Sequence, residues 1–220
     1  MPPFLRSLTD LIYPRRCMLC RRFLGPVEAR ICPECLSRLP EPFSGARRGS
    51  HYKRWAAAVW YEDPLREAFL RFKFNGSAFY AQVFGPWVAE AVRKQLDPGW
   101  ELLTYVPISR LRLRKRGYDQ TLLLAKAAGQ ALGAEPVQTL KKRHLVRPQS
   151  RTLNLQERQR NISGAFRIID PELVRGKRIL LIDDVLTTGA TVSEAARILE
   201  EAGAREIQVA VLAAAQKASG

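Results

Sequence analysis

The run Ile179-Leu180-Leu181-Ile182-Asp183-Asp184-Val185-Leu186-Thr187-Thr188-Gly189-Ala190-Thr191 constrains this chain more than any other segment. Its four leading apolar residues predict a strand buried on both faces, as in a parallel sheet. Asp183 and Asp184 are expected to end that strand at the carboxyl edge of the sheet, where open α/β folds bind ligands. A turn of Thr187, Thr188 and Gly189 then leads into a helix. Backbone N–H groups, hydroxyls and the helix N-terminus together make a phosphate cradle. Carboxylates do not bind phosphate, but they accept hydrogen bonds from vicinal hydroxyls and hold Mg²⁺ through water. A ribose 5-phosphate compound fits both halves: phosphate on Val185 to Thr191, 2′- and 3′-hydroxyls on Asp183 and Asp184.

Other phosphate-binding patterns do not fit. A Walker loop needs G-x-x-x-x-G-K-[ST] and a dinucleotide fold needs G-x-G-x-x-G; neither occurs. Leu-Ile-Asp-Asp also resembles the first strand of a receiver domain, but only 37 residues follow Asp183. The plainer alternative is a capped strand and turn with two exposed acids. It requires the acids, three threonines and a glycine to coincide.

All four cysteines lie near the N-terminus, as Cys17-x-x-Cys20 and Cys32-x-x-Cys35. Each pair puts two sulfurs on one tight turn, and two turns complete a tetrahedral thiolate cage suited to structural Zn²⁺. The short gap between the pairs implies a short ribbon or knuckle. Disulfides would suit an exported chain, and a redox dithiol would sit beside a βαβ pattern. Neither context is present. His51 and His144 are too remote to join the cage and are expected on the surface or in packing.

The expected organisation is a zinc-binding module over 1–45, a linker over 46–54 and a main domain over 55–220. Within that domain strands are expected at Trp55–Tyr61, Leu102–Val106, Ala165–Ile169, Arg178–Ile182 and Ile207–Ala213. Helices are expected after Asp63-Pro64, with Leu65, Phe69, Leu70 and Phe72 as the apolar face, over Val83–Leu96, from about Thr121 to Leu132 with Asp119 as cap, and over Thr191–Ala202. Residues 141–163 show no clear period and read as an extended, mobile loop. Strands alternating with helices give an α/β class: a mainly parallel open sheet flanked by helices, with a small N-terminal zinc ribbon.

Formal net charge is +15, and it is uneven: +7 over residues 1–60, +9 over 61–160 and −1 over 161–220. Two clusters concentrate it, Arg110/Arg112/Arg114/Lys115/Arg116 and Lys141/Lys142/Arg143 with Arg147 and Arg151 behind. Such clusters attract phosphates of any origin, so a polyphosphate substrate and a nucleic-acid strand both remain open. A solvated basic face without a partner is the bland alternative. The longest apolar runs are seven residues, Trp55–Tyr61 and Val209–Ala215, so no integral membrane segment is expected. The N-terminus lacks the pattern of a signal peptide, which makes a cytoplasmic protein the expectation.

Residues 179–191 resemble the phosphoribosyl-pyrophosphate (PRPP) motif of type I phosphoribosyltransferases. The whole chain is similar to the ComF competence-protein family, which joins a four-cysteine zinc module to such a domain. Further support comes from Tyr13-Pro14, Lys73-Phe74-Asn75-Gly76, Val106-Pro107, Arg116-Gly117-Tyr118-Asp119-Gln120, and Gln149 with Arg158, Asn161, Ala165 and Phe166. The family usually has Phe-Asn where this chain has Tyr118-Asp119. The ring is kept but an acid replaces the amide, which bears on any anion contact there. The resemblance implies a Mg²⁺-dependent phosphoribosyltransferase acting on PRPP. Asp183, Asp184 and Arg158 would be catalytic, and Pro107, Ser109, Arg110 and Arg116 would hold the substrate. A basic loop near Arg147–Arg160 would fold over the site. The resemblance also implies a role in natural transformation at the inner face of the membrane, with single-stranded DNA and competence or replication proteins as partners. Tyr52, Trp55 and Tyr118 are the candidates for base stacking. A non-catalytic accessory that uses the fold for nucleotide sensing is the alternative. Acceptor and oligomeric state are open.

Overall fold

The computed structural model describes residues 14–25, 28–39, 43–45, 47–74, 76–143 and 164–215. Its elements run α1 (Pro33–Ser37), β1 (Arg54–Trp60), α2 (Leu65–Phe74), α3 (Ala81–Gln95), β2 (Leu102–Tyr105), α4 (Arg110–Arg116), α5 (Gln120–Leu132), β3 (Leu140–Lys142), β4 (Phe166–Ile168), β5 (Arg178–Leu186), α6 (Ala190–Glu201) and β6 (Glu206–Ala214). Single 3₁₀ turns sit at Ala78–Tyr80 and Pro171–Leu173.

The central sheet is parallel throughout, in the order β1-β6-β5-β2. β5 lies between two neighbours, and Ile179, Leu180, Leu181 and Ile182 are at most 1% exposed. Each such side chain contributes about 1.5–3 kcal/mol on burial. Alternation along the strand sends Leu180 and Ile182 to one face and Ile179 and Leu181 to the other. The first face packs on α2, α3 and α5 through Phe69, Phe72, Phe84, Val88, Leu124 and Ala128. The second packs on α6 through Val192, Ala195, Ala196 and Leu199. The connections leaving β5 and β2 therefore part to opposite faces. That is a topological switch point, with a crevice outside the carboxyl ends of the two strands.

Local chemistry sets the helix ends. Asp119 caps α5 by accepting from the N–H groups of Thr121 and Leu122, at 2.9 and 3.1 Å. Gly133 ends it in the left-handed region. α3 and α5 approach closely because Gly85 faces Ala127 and Ala128.

Three expectations need correcting, and one helix lies where none is expected. β5 does not stop at Ile182; it continues to Leu186, because β6 supplies partners as far as Ala214. Lys141 and Lys142 are not loop residues; they belong to β3, which pairs antiparallel with β4. Residues 144–163, the rest of the predicted loop, lie outside the described residues. Arg110–Arg116 is a helix, capped by Ser109 and by left-handed Gly117, with no buried residue. Leu70 is 39% exposed, so only Leu65, Phe69 and Phe72 of the predicted α2 face reach the core.

The cysteine-bearing segment docks on α2. Cys17, Met18, Leu19 and Ile31 are buried in the same cluster as Phe69 and Phe84. Arg71 Nη2 donates to the carbonyls of Met18 and Leu19, both at 2.8 Å. The Tyr80 hydroxyl donates to the Met18 carbonyl at 3.2 Å.

Candidate functional site

Two constellations stand out. In the first, the sulfurs of Cys17, Cys20, Cys32 and Cys35 all lie within 4.8 Å of one another, and none is in a disulfide. Cys20 and Cys32 sulfurs are 3.8 Å apart. That matches the edge of a tetrahedron with Zn–S bonds of about 2.3 Å. The backbone N–H groups of Leu19 and Cys32 point at Cys17 Sγ, and that of Cys35 at Cys32 Sγ, each at 3.4 Å. Donors around the sulfurs favour thiolates. The residues fit a structural zinc, and four thiolates leave no open position for chemistry. His51 takes no part; its Nδ1 lies 2.9 Å from Glu200 on the surface. His144 lies outside the described residues.

The second constellation is at the switch point. Asp183 and Asp184 are 7% and 8% exposed, carried inside β5 rather than at its end. Both Asp184 oxygens are engaged. Lys73 of α2 reaches Oδ1 at 3.0 Å, and the Gln120 amide of α5 donates to Oδ2 at 2.9 Å. Asp183 Oδ1 accepts from the Asp184 N–H at 2.8 Å. Burial, and then the charge of Asp184, hold the Asp183 carboxyl well above the usual aspartate range.

Beyond the acids the chain opens. Thr187 and Thr188 are exposed, and Gly189 turns through the left-handed region at φ 78°. α6 then begins without a capping hydrogen bond from Gly189, which has no side chain to give one. The Ala190 N–H at its start donates to the Thr188 hydroxyl at 3.4 Å, and helix N-termini are sites where anions bind. Beneath the turn, the Tyr52 hydroxyl lies 3.7 Å from where a Cβ on Gly189 would stand. Val185 is half-buried and Leu186 buried, so those two side chains support the turn rather than line an open cleft.

The segment after β2 lies beside these acids, since the Val106 N–H donates to the Ile182 carbonyl at 2.9 Å. Pro107 is buried there. Ser109 spends its hydroxyl on the N–H of Arg112. Arg110 is exposed, whereas Arg116 is half-buried, with its guanidinium 4.5 Å from the centre of the Phe74 ring. Asp119 pins the segment by accepting from the Ile108 N–H at 3.2 Å, so its acid serves the backbone. Burial pushes the Asp119 carboxyl upward.

Sequence reasoning missed Lys73, Gln120 and Lys142 as members of this site. Lys142 of β3 is half-buried, 5.0 Å from the Phe166 ring centre. Burial and then Arg112 lower its pKa, while Asp183, Asp184 and Asp119 act the other way. Arg158 lies outside the described residues. Tyr52 and Trp55 are each 8% exposed, and the Tyr118 hydroxyl donates to the Phe72 carbonyl. Tyr52 and Trp55 are therefore corrected from exposed stacking rings to core residues. Among the described residues, no helix is long and apolar enough to cross a membrane.

Comparison with known proteins finds a matching domain model over each of the two segments. A family model for a phosphoribosyl transferase domain matches residues 131–220, and one for a double zinc ribbon domain matches residues 8–47. Competence protein ComFC of Streptococcus pneumoniae is 32% identical over 152 residues, 69% of this chain and 64% of its own length. Competence protein F of Haemophilus influenzae is 28% identical over 224 residues, 91% of this chain and 97% of its own. DNA utilization protein YhgH of Escherichia coli is 27% identical over 203 residues, 88% of this chain and 87% of its own. This chain thus spans a little under two thirds of the first relative and nearly all of the second. The parallel sheet and its helices are of phosphoribosyltransferase type, preceded by a four-cysteine zinc ribbon.

Proposed function

We propose that this chain, which is similar to competence proteins ComFC and F, binds PRPP or a related ribose 5-phosphate compound, with Mg²⁺, outside the carboxyl ends of β5 and β2. The observation that carries this reading is the exposed Thr187-Thr188 turn. It leads through left-handed Gly189 into a helix whose first N–H is met only by the turn's own Thr188 hydroxyl, directly beyond two covered carboxylates. The 5-phosphate would take the N–H groups from Thr188 to Thr191 and the threonine hydroxyls. The ribose hydroxyls would donate to Asp183 and Asp184, and to Gln120 Oε1, which is buried without a partner.

The two acids are hard oxygen donors and suit Mg²⁺ held through water. Bound with the substrate, the metal would neutralise charge on the leaving pyrophosphate. With Asp184 already engaged by Lys73 and Gln120, the cation is expected to arrive with its substrate. Arg116 and Lys142 supply positive charge where pyrophosphate would leave. Preorganised charge of this kind lowers a barrier more than a single acid or base. Arg158 as a catalytic group rests on the family resemblance. Thermal unfolding tests the reading: millimolar PRPP with Mg²⁺ raises the melting temperature, and the Asp183→Asn/Asp184→Asn double variant loses the rise. No rise in the parent protein contradicts it.

A second role is compatible with the first and is favoured by α4. Relatives are named for competence and DNA utilization, and α4 exposes Arg110, Arg112, Arg114 and Lys115. We propose that this helix engages the backbone of single-stranded DNA. Titration with labelled oligonucleotide at several salt concentrations should give a steep salt slope. Absence of binding at low salt removes the idea.

A further inference from the structure

We propose that Lys73 is the residue by which this site distinguishes a ribose 5-phosphate that carries a diphosphate from one that does not. The inference rests on the sugar-phosphate reading above and deepens it. Lys73 Nζ and Asp184 Oδ1 are 3.0 Å apart, with side chains 19% and 11% exposed. Gln120 holds the other oxygen. Each oxygen of this buried carboxylate already has a donor, so a ribose hydroxyl that approaches it competes with Lys73 and Gln120 for the little access left.

Lysine is the partner that can move. Gln120 is the first residue of α5, next to its Asp119 cap, and is 3% exposed. Lys73 stands one residue before the end of α2 on a flexible four-carbon stem. Two further atoms show what would draw it away. Arg116 Nη1 is buried without a hydrogen-bond partner, and its guanidinium lies over Phe74, the residue after Lys73. Gln120 Oε1 is buried without a partner on the other side of the same carboxylate. A diphosphate oxygen that satisfies Arg116 would sit beside Phe74, the chain neighbour of Lys73, and a hydroxyl that satisfies Gln120 would sit beside Asp184, which Gln120 already bonds. A ligand with both groups pulls the lysine onto its diphosphate and exposes Asp184 to its own ribose. Ribose 5-phosphate offers nothing to pull with, so Lys73 stays on Asp184 and excludes it.

The test is calorimetric titration of the full chain with PRPP and, separately, with ribose 5-phosphate, both with Mg²⁺. The parent protein should prefer PRPP. Lys73→Met should weaken PRPP by about tenfold, the size of one charge-assisted hydrogen bond, and should strengthen ribose 5-phosphate. Lys73→Gln, which keeps the length and loses the charge, should move the two ligands in the same opposite directions if the Met variant does not fold. Equal weakening of both ligands means a structural lysine and overturns the proposal, as does no change in either. A parent protein that binds neither ligand overturns the sugar-phosphate reading itself, and this inference with it.

Discussion

Arg71 and Lys73, two residues apart on α2, hold two segments that are far apart in the sequence. Arg71 grips the carbonyls of Met18 and Leu19 beside the first cysteine pair, and Lys73 grips Asp184 within β5. One short helix therefore joins the zinc ribbon to the acid pair.

This predicts that Arg71→Met loosens the ribbon. Hydrogen bonds from a charged donor contribute about 1.5–3 kcal/mol, and the variant leaves two carbonyls to find other partners. Scanning calorimetry should show a lower melting temperature for the variant while zinc is bound. A zinc chelator should lower the parent protein towards the variant, because the ribbon then loses the fold that presents those carbonyls. An unchanged gap after chelation contradicts the coupling.

Asp183 predicts a pH dependence of definite sign. Its native pKa is raised by burial and by the charge of Asp184. The native state therefore keeps a proton that the unfolded chain releases above its ordinary pKa of about 3.9. Between that value and the raised native one, stability falls as pH rises. Asp183→Asn removes the slope. Urea unfolding should find the variant more stable than the parent at slightly alkaline pH and the two alike near the ordinary aspartate pKa. A gap that does not vary with pH contradicts this.

The two glycines that matter predict different costs. A Cβ on Gly85 would meet Ala127 Cβ at 2.4 Å and Ala127 backbone at 2.6 Å, so Gly85→Ala must push α3 from α5. Overpacking of this kind costs about 1–3 kcal/mol. A Cβ on Gly189 would meet only the Tyr52 hydroxyl, at 3.7 Å, so Gly189→Ala is limited to backbone strain at φ 78°. That strain costs about 1–2 kcal/mol. Denaturant midpoints separate the two. A milder effect at Gly85 than at Gly189 contradicts the packing account.

Much of this architecture was legible because it rests on local rules. Four consecutive apolar residues marked β5, the cysteine spacing marked the cage, and Asp119 marked the start of α5. What escaped rests on long-range partners. The acids read as the end of a strand because carboxylates avoid sheets, yet pairing with Val211 to Ala214 carries the strand past them. α4 escaped because Arg-Leu-Arg-Leu-Arg-Lys-Arg has no helical apolar period; two end caps hold it and nothing is buried. Lys73 and Gln120 carry no motif that announces an ion pair or hydrogen bond with a residue so distant in sequence. Tyr52 read as part of a basic linker, although it packs beneath the threonine turn.

The most direct test of the central claim is a crystal structure of the protein soaked with PRPP and Mg²⁺. The account predicts the 5-phosphate within hydrogen-bonding distance of the N–H groups from Thr188 to Thr191, the ribose hydroxyls on Asp183 and Asp184, and Lys73 turned from Asp184 towards the diphosphate. A ligand bound elsewhere, or a threonine turn left empty at saturating PRPP, would contradict it.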